Sequence, residues 1–256
     1  MTDATTPGTT AEQLDDAALA RRVAETAGEI LMTLRGSDLF RGKALGAAGD
    51  AVANAFIMAA LREARPDDAI LSEEEAADPA RLANTRAWIV DPLDGTREYG
   101  DGRADWAVHI ALAVDGHATA GAVALPAQAH TICTAGCVAP GQTEGRIRMV
   151  VSRSRPAAEA LKVADALDAE LIPMGSAGAK AMAVVRGEAD IYLHSGGQYE
   201  WDSCAPVAVA QAAGLHVSRI DGSPLVYNTA DPWLPDLLIC RADLAEPVFA
   251  VLRGQA

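Results

Sequence analysis

The chain has 256 residues, half of them hydrophobic, and a formal net charge of −14, enough apolar material for one large or two small cored units. With no run of Lys or Arg to offset it, that charge argues against a nucleic-acid polymer or an anionic membrane as partner, and no apolar run reaches the roughly 18 to 20 residues of a membrane span. The polar start, Met1 to Thr10, has no signal-like apolar core, so the cytoplasm is the default location, and the scattered Cys133, Cys137, Cys204 and Cys240 read as reduced thiols without zinc-ligand spacing.

Residues 1–12 read as disordered. Leu14 to Leu34 sets Leu19, Val23, Ile30, Leu31 and Leu34 at helical spacing, and Gly36 ends the run. A second helix is expected from Gly49 to Ala64, with Val52, Phe56, Ile57, Ala60 and Leu61 facing inward and Asp50 near its first turn. Ala69-Ile70-Leu71 is a short strand that runs into Ser72-Glu73-Glu74-Glu75, and Trp88-Ile89-Val90 is a buried strand that runs into Asp91-Pro92-Leu93-Asp94-Gly95-Thr96. Ala107 to Val114, the turn Asp115-Gly116 and Ala118 to Leu125 form a hairpin. The chain turns polar around Ala139 to Gln142, which divides an α+β subdomain (13–142) from an α/β subdomain (143–256). In the second half, strands are expected at Arg146 to Ser152 and Asp190 to Leu193. Helices are expected at Pro156 to Leu167, Ala177 to Arg186 with Ser176 as cap, and Ser203 to Ala213 with Asp202 before it as an N-cap and Gly214 as stop.

The chemistry concentrates at Asp91 to Thr96. A strand of three β-capable residues places Asp91 at its carboxyl end, where ligand sites of α/β sheets gather. Pro92 forces a turn that swings Asp94 back toward Asp91. Gly95 admits a phosphate close to the main chain, and Thr96 opening a helical turn offers free N–H groups to an anion. Two adjacent carboxylates repel unless a cation lies between them, and hard oxygen ligands suit Mg²⁺, which also binds substrate phosphate. Taken alone the segment also fits an Asp-Pro turn with a helix cap, Glu73 to Glu75 fit a solvated acidic run, and Asp50 fits a charge on a helix dipole.

As a set, these residues resemble the magnesium-dependent, lithium-sensitive phosphatases of the inositol monophosphatase superfamily. Asp-Pro-Leu-Asp-Gly-Thr stands at Asp91 to Thr96, followed by Tyr99-Gly100 and Trp106-Ala107-Val108. Ser72-Glu73-Glu74 precedes it, Trp201-Asp202 follows it, and Gly222 to Asn228 resembles the superfamily's late loop. The resemblance implies a layered αβαβα sandwich and two to three Mg²⁺ ions. Glu73, Asp91 and the Leu93 carbonyl would hold one ion, Asp91, Asp94 and Asp202 a second, and Glu73 a weaker third. It further implies that Asp50 and Thr96 orient and deprotonate the attacking water, which with Glu73 completes the catalytic set, and that the Gly95 and Thr96 amides hold the phosphate. Four carboxylates and two Mg²⁺ cancel, so a third ion or Lys43 would supply the excess positive charge that a phosphate dianion needs.

Ser72-Glu73-Glu74 and Glu200-Trp201-Asp202 look most like the 3′(2′),5′-bisphosphate nucleotidase branch. The implied substrate is then 3′-phosphoadenosine 5′-phosphate, a by-product of sulfate activation, with 3′-phosphoadenosine 5′-phosphosulfate as a further one. Two departures stand out: Ala47-Ala48-Gly49 replaces the usual Thr before Asp50, and Ser195-Gly196-Gly197-Gln198-Tyr199 replaces an Arg-containing loop, which makes Gly196, Gly197 and Tyr199 candidate substrate contacts beside His194. Inositol 1-phosphate and fructose 1,6-bisphosphate are the alternative substrates, singly or under broad specificity, and a homodimer is common among such proteins. Leu93-Asp94-Gly95-Thr96 also echoes haloacid dehalogenase-like enzymes, but two residues separate Asp91 from Asp94 and two helices precede them. A non-catalytic, metal-stabilised interaction protein is the reading from outside enzymology.

Overall fold

The computed structural model describes residues 14–141 and 145–255. The expected disorder of 1–12 and the segment boundary at residue 142 lie outside the described residues.

Helices α1 (Asp16–Gly36) and α2 (Gly42–Ala64) lead into the first sheet, built from β1 (Ala69–Ser72), β2 (Arg86–Asp94), β3 (Ala107–Val114), β4 (His117–Leu125) and β5 (His130–Cys133), with the short helix α3 (Thr96–Gly100) between β2 and β3. The second sheet has the order β7 (Glu170–Met174), β6 (Arg148–Ser152), β8 (Ile191–Tyr199), β10 (Trp233–Cys240), β9 (His216–Ser218). Around it are α4 (Ala158–Ala166), α5 (Ala177–Val185), α6 (Glu200–Ala212) and α7 (Ala245–Leu252).

Strand alternation dictates the layering. In β2, Trp88 and Val90 pack against Leu31 of α1 and Ile57 and Leu61 of α2, whereas Ile89 points the other way, toward Met182 of α5 and Val207 of α6. In β6 and β8, Val150 and Tyr192 face that same middle core, while Val151 and Ile191 face Val163 of α4 and Val248 of α7. The stack is therefore helix, sheet, helix, sheet, helix, the αβαβα sandwich that the resemblance implies. The middle helices are enclosed on both sides, which explains why α5 and α6 are rich in Ala and Val and buried along most of their length.

Several expectations need correcting. Helix α2 starts at Gly42, seven residues before Gly49, so Asp50 sits in the helix interior and not in its first turn. Val52 is exposed, and Leu45, Ala53, Ile57, Met58 and Leu61 form the buried stripe. By length and composition α2 would also qualify as a membrane span, against the sequence expectation, yet this buried stripe is committed to the core. Strand β8 continues through the glycine pair to Tyr199, and α6 begins at Glu200, so Asp202 is the third residue of its helix. Its carboxylate accepts the Tyr199 N–H at 2.7 Å, the reach-back half of a capping box, instead of capping as an N-cap. Strands β5, β7, β9 and β10 and helix α7 carried no clear periodic signal.

Candidate active site

The register of β2 on β3 brings the two motif carboxylates together. Asp91 pairs with His109 and Asp94 with Ala107, so β2 spends three residues where β3 spends two. This bulge centred on Pro92, where a ladder donor is absent anyway, returns Asp94 to the face of Asp91. Gly95 then adopts φ +88, and a Cβ there would meet Ser176 Cβ at 3.1 Å and Trp106 Cβ at 3.3 Å, so the turn into α3 needs glycine.

Asp91, Asp94 and Asp202 each offer an oxygen within 4.8 Å of the others. Asp91 is 1% exposed and Asp94 6%. Glu73, directly after β1, stands outside this trio but near enough to Asp202 and Asp94 for their charges to act on it. Thr96 Oγ1 lies 3.2 Å from both Asp50 Oδ1 and the Leu93 carbonyl, which joins the interior of α2 to the motif. Glu73, Asp50, Asp91, Leu93, Asp94, Thr96 and Asp202 thus converge at one rim. Lys43 is exposed and lines a separate, smaller cleft of about 450 Å³ on the Asp50–Thr96 side of the site, together with Arg97.

The protonation equilibria record the crowding. Burial and the Asp202 charge push Glu73 up to about 7. Burial and Asp94 push Asp202 to about 6, and burial with Glu73, Asp94 and Asp202 holds Asp91 well above the carboxylate range. Burial and Glu74 raise Asp50 to about 6 against the pull of its Thr96 bond. Asp94 is the exception. Burial pushes it up, but His109, the Gly178 N–H and Lys180 outweigh this and keep it below its ordinary value. Its oxygens accept the N–H groups of Ala177 (3.2 Å) and Gly178 (2.6 Å) at the start of α5 and face His109 Nε2 at 3.2 Å. A set of crowded hard oxygens that repel one another, with Asp91 and Asp94 buried, Asp202 half-buried and Glu73 more exposed, fits a divalent cation.

A cavity of about 700 Å³ opens from Asp94 and Asp202 toward the second sheet. Gly196, Gly197 and Tyr199 line it, as expected, but so do residues that sequence reasoning missed: Arg153, Arg155, Lys180 and Trp233. Arg153 pairs with Glu98 at 2.6 Å, and Lys180 Nζ donates to the Ser176 carbonyl at 2.6 Å. Arg155 has no ion pair among the described residues. The signal for the arginines was present in Ser152-Arg153-Ser154-Arg155 directly after a strand. His194, where substrate contact was one expectation, donates Nε2–H to the Gly197 carbonyl at 2.9 Å. Burial and the nearby Lys180 and Arg155 hold it below its ordinary value, hence neutral.

The late loop is fastened from α6. The buried Glu200 carboxylate accepts Asn228 N–H at 2.7 Å, Thr229 N–H at 2.8 Å and Thr229 Oγ1–H at 2.6 Å. Arg81 clamps the same loop through Asn228 Oδ1 and the Thr229 carbonyl. Glu200, one of the residues that suggested the nucleotidase branch, is therefore a structural anchor two residues before Asp202.

Comparison with known proteins agrees with this geometry. A Mycobacterium leprae protein named 3′-phosphoadenosine 5′-phosphate phosphatase is 49% identical over 94% of either chain. The 3′(2′),5′-bisphosphate nucleotidase CysQ of Escherichia coli is 33% identical over 73% of this chain and 81% of its own. The crystal structure of CysQ from Bacteroides thetaiotaomicron superposes with a TM-score of 0.77 at 26% identity, covering 88% of this chain and 97% of that one. The sequence profile of the inositol monophosphatase family matches residues 13–246, and the chain belongs to that family.

Proposed function

We propose that this protein is a Mg²⁺-dependent phosphomonoesterase that removes the 3′-phosphate of 3′-phosphoadenosine 5′-phosphate, yielding AMP and inorganic phosphate. The observation that carries the reading is the mixed lining of the cavity: the carboxylates Asp94 and Asp202 suit metal ions and the scissile phosphate, and the cations Arg153, Arg155 and Lys180 in the same cavity suit a second phosphate. The names of the relatives at 49% and 33% identity support the same substrate class. The mixed charge also answers how a chain of net charge −14 receives a polyanion, because the field is inverted locally.

Glu73, Asp91, the Leu93 carbonyl, Asp94 and Asp202 would hold the ions, which when bound acidify water and offset charge on the phosphoryl and leaving-group oxygens. Thr96 and Asp50 are the acid–base pair. The Thr96 hydroxyl takes a proton from the attacking water as it passes its own to Asp50, whose carboxyl near 6 suits a base at neutral pH. The Gly95 and Thr96 amides receive the phosphate, with Gly95 backbone exposed to it by its positive φ. Water attacks phosphorus in line and the 3′-oxygen leaves, taking up a proton from solvent while Asp50 returns its own to solvent, so no phospho-enzyme forms.

The test is phosphate release with Mg²⁺ from 3′-phosphoadenosine 5′-phosphate, inositol 1-phosphate and fructose 1,6-bisphosphate in parallel, with Li⁺ added as inhibitor and Asp94→Asn as control. The expected result is preference for the nucleotide, loss with Li⁺ and loss in the variant. Equal or faster release from the other two substrates would replace this reading by an inositol- or fructose-type specificity.

A further inference from the structure

The cavity is also lined by two aromatic rings that phosphate chemistry does not use. Trp233 opens β10 and Tyr199 closes β8, and the two are direct cross-strand partners, so both side chains leave the sheet on one face. Both line the cavity, yet Trp233 is 48% and Tyr199 46% exposed. Neither ring hangs free. Tyr199 stacks on Trp201 with centroids 4.8 Å apart and planes inclined by 11°. Trp233 lies across Gly197, where a Cβ would fall 2.6 Å from the indole Nε1 and 3.2 Å from Cε2. Gly197 has φ +95, and its carbonyl is held by His194. Glycine here makes a seat for the indole.

We propose that Trp233 and Tyr199 form a stacking site for the nucleobase of the substrate, a reading that rests on the nucleotide activity proposed above. Two pre-positioned, half-exposed rings offer planar apolar area at little cost in side-chain order, which is what a base needs. Recognition by stacking accepts any purine, because each presents a π-face, so the two rings distinguish a nucleotide from a base-less phosphate. A choice between purines would fall to polar side chains of the same cavity, Arg155 and the buried Gln198, whose amide nitrogen has no partner among the described residues.

The experiment compares kcat/KM for adenosine 3′,5′-bisphosphate, guanosine 3′,5′-bisphosphate and inositol 1-phosphate in the wild type and in Trp233→Ala, Trp233→Phe and Tyr199→Ala. Trp233→Ala and Tyr199→Ala are expected to lower the ratio of nucleotide to inositol phosphate roughly tenfold or more, mainly through KM because the base is remote from phosphorus. Trp233→Phe restores most of it, and the alanine variants weaken the two nucleotides alike. Tryptophan emission on titration with AMP gives a second readout: quenching is expected in the wild type and is largely lost in Trp233→Phe. An unchanged ratio in the alanine variants of a nucleotide-active protein overturns the stacking site alone. A wild type that ignores both nucleotides overturns the proposed function and this inference with it.

Discussion

Removing divalent ions should make this protein less stable as the pH rises through neutrality, the reverse of the usual behaviour of carboxylates held in ion pairs. The carboxyl of Asp202 moves from an ordinary 3.8 to about 6 on folding, driven by burial and then by Asp94. The fold favours the protonated form, so the associated stability is complete below about pH 4 and is lost as the pH rises through about 6. At 1.36 kcal/mol per pH unit this is about 3 kcal/mol, or roughly 6 to 12 °C in Tm for a domain of this size. Asp50 and Glu73 shift in the same direction, so the decline spans about pH 4 to 7. Thermal unfolding in EDTA, followed from pH 5 to 8 beside samples in Mg²⁺, measures it. The EDTA curve should fall and the Mg²⁺ curve should stay nearly level, the gap widening with pH, and Asp202→Asn should flatten the EDTA curve. An EDTA Tm that is constant or rises from pH 5 to 7 would refute the claim that these carboxylates strain the fold.

Three variants test the supports of the site. Thr96→Val keeps the methyl that packs on Gly46 but removes the hydroxyl bonded to Asp50; kcat should fall about 10² to 10⁴-fold with KM little changed, as steady-state kinetics will show. Gly178→Ala would place a Cβ 2.1 Å from Nε2 of the fully buried His109 and 2.9 Å from Ala107 Cβ. The overpacking should cost about 1 to 3 kcal/mol, visible as a lower Tm with impaired turnover because Asp94 is displaced. Glu200→Ala leaves the amides of Asn228 and Thr229 without their acceptor; it should cost at least about 3 kcal/mol and accelerate hydrogen exchange at those two residues.

The site was legible where residue type and local order determine geometry together. Asp91 to Thr96 announced itself because a strand, a proline and a glycine leave few ways to place two carboxylates. What stayed hidden depends on pairing between distant segments. Pro92 and Pro235 both lie inside strands, and both coincide with a shift of register. Only the partner strand reveals whether such a proline ends a strand or bulges it, which is why β10 went unseen. Asp50 looked like a first-turn charge because Gly42 to Ala48 is poor in large apolar residues. That stretch packs closely on α3 instead: a Cβ on Gly46 would meet Thr96 Cγ2 at 2.6 Å, and one on Gly100 the Gly42 carbonyl at 2.6 Å. His109 was invisible as a site residue because a lone histidine in an apolar strand carries no signal until Asp94 is placed 3.2 Å from it.

An acidic chain holds these carboxylates together largely by giving each a backbone donor. Asp94 takes the first amides of α5, Asp202 takes the Tyr199 N–H at the start of α6, and Asp91 takes the Leu93 N–H at 3.0 Å. Among the described residues no backbone N–H reaches the Glu73 carboxylate, and Glu73 is pushed up to about 7 by burial and by Asp202. A proton and an ion then compete for Glu73 in the neutral range, since only the deprotonated form binds a cation. Activity at limiting Mg²⁺ should therefore fall as the pH drops through about 7, and raising Mg²⁺ should move that limb to lower pH. In Glu73→Gln the affinity for Mg²⁺ should be weak and free of this pH dependence, as isothermal titration would show. A limb that stays in place when Mg²⁺ is raised a hundredfold would mean that the titrating group is not a ligand, and would shift attention to Asp50, whose loss of function on protonation is independent of the ion.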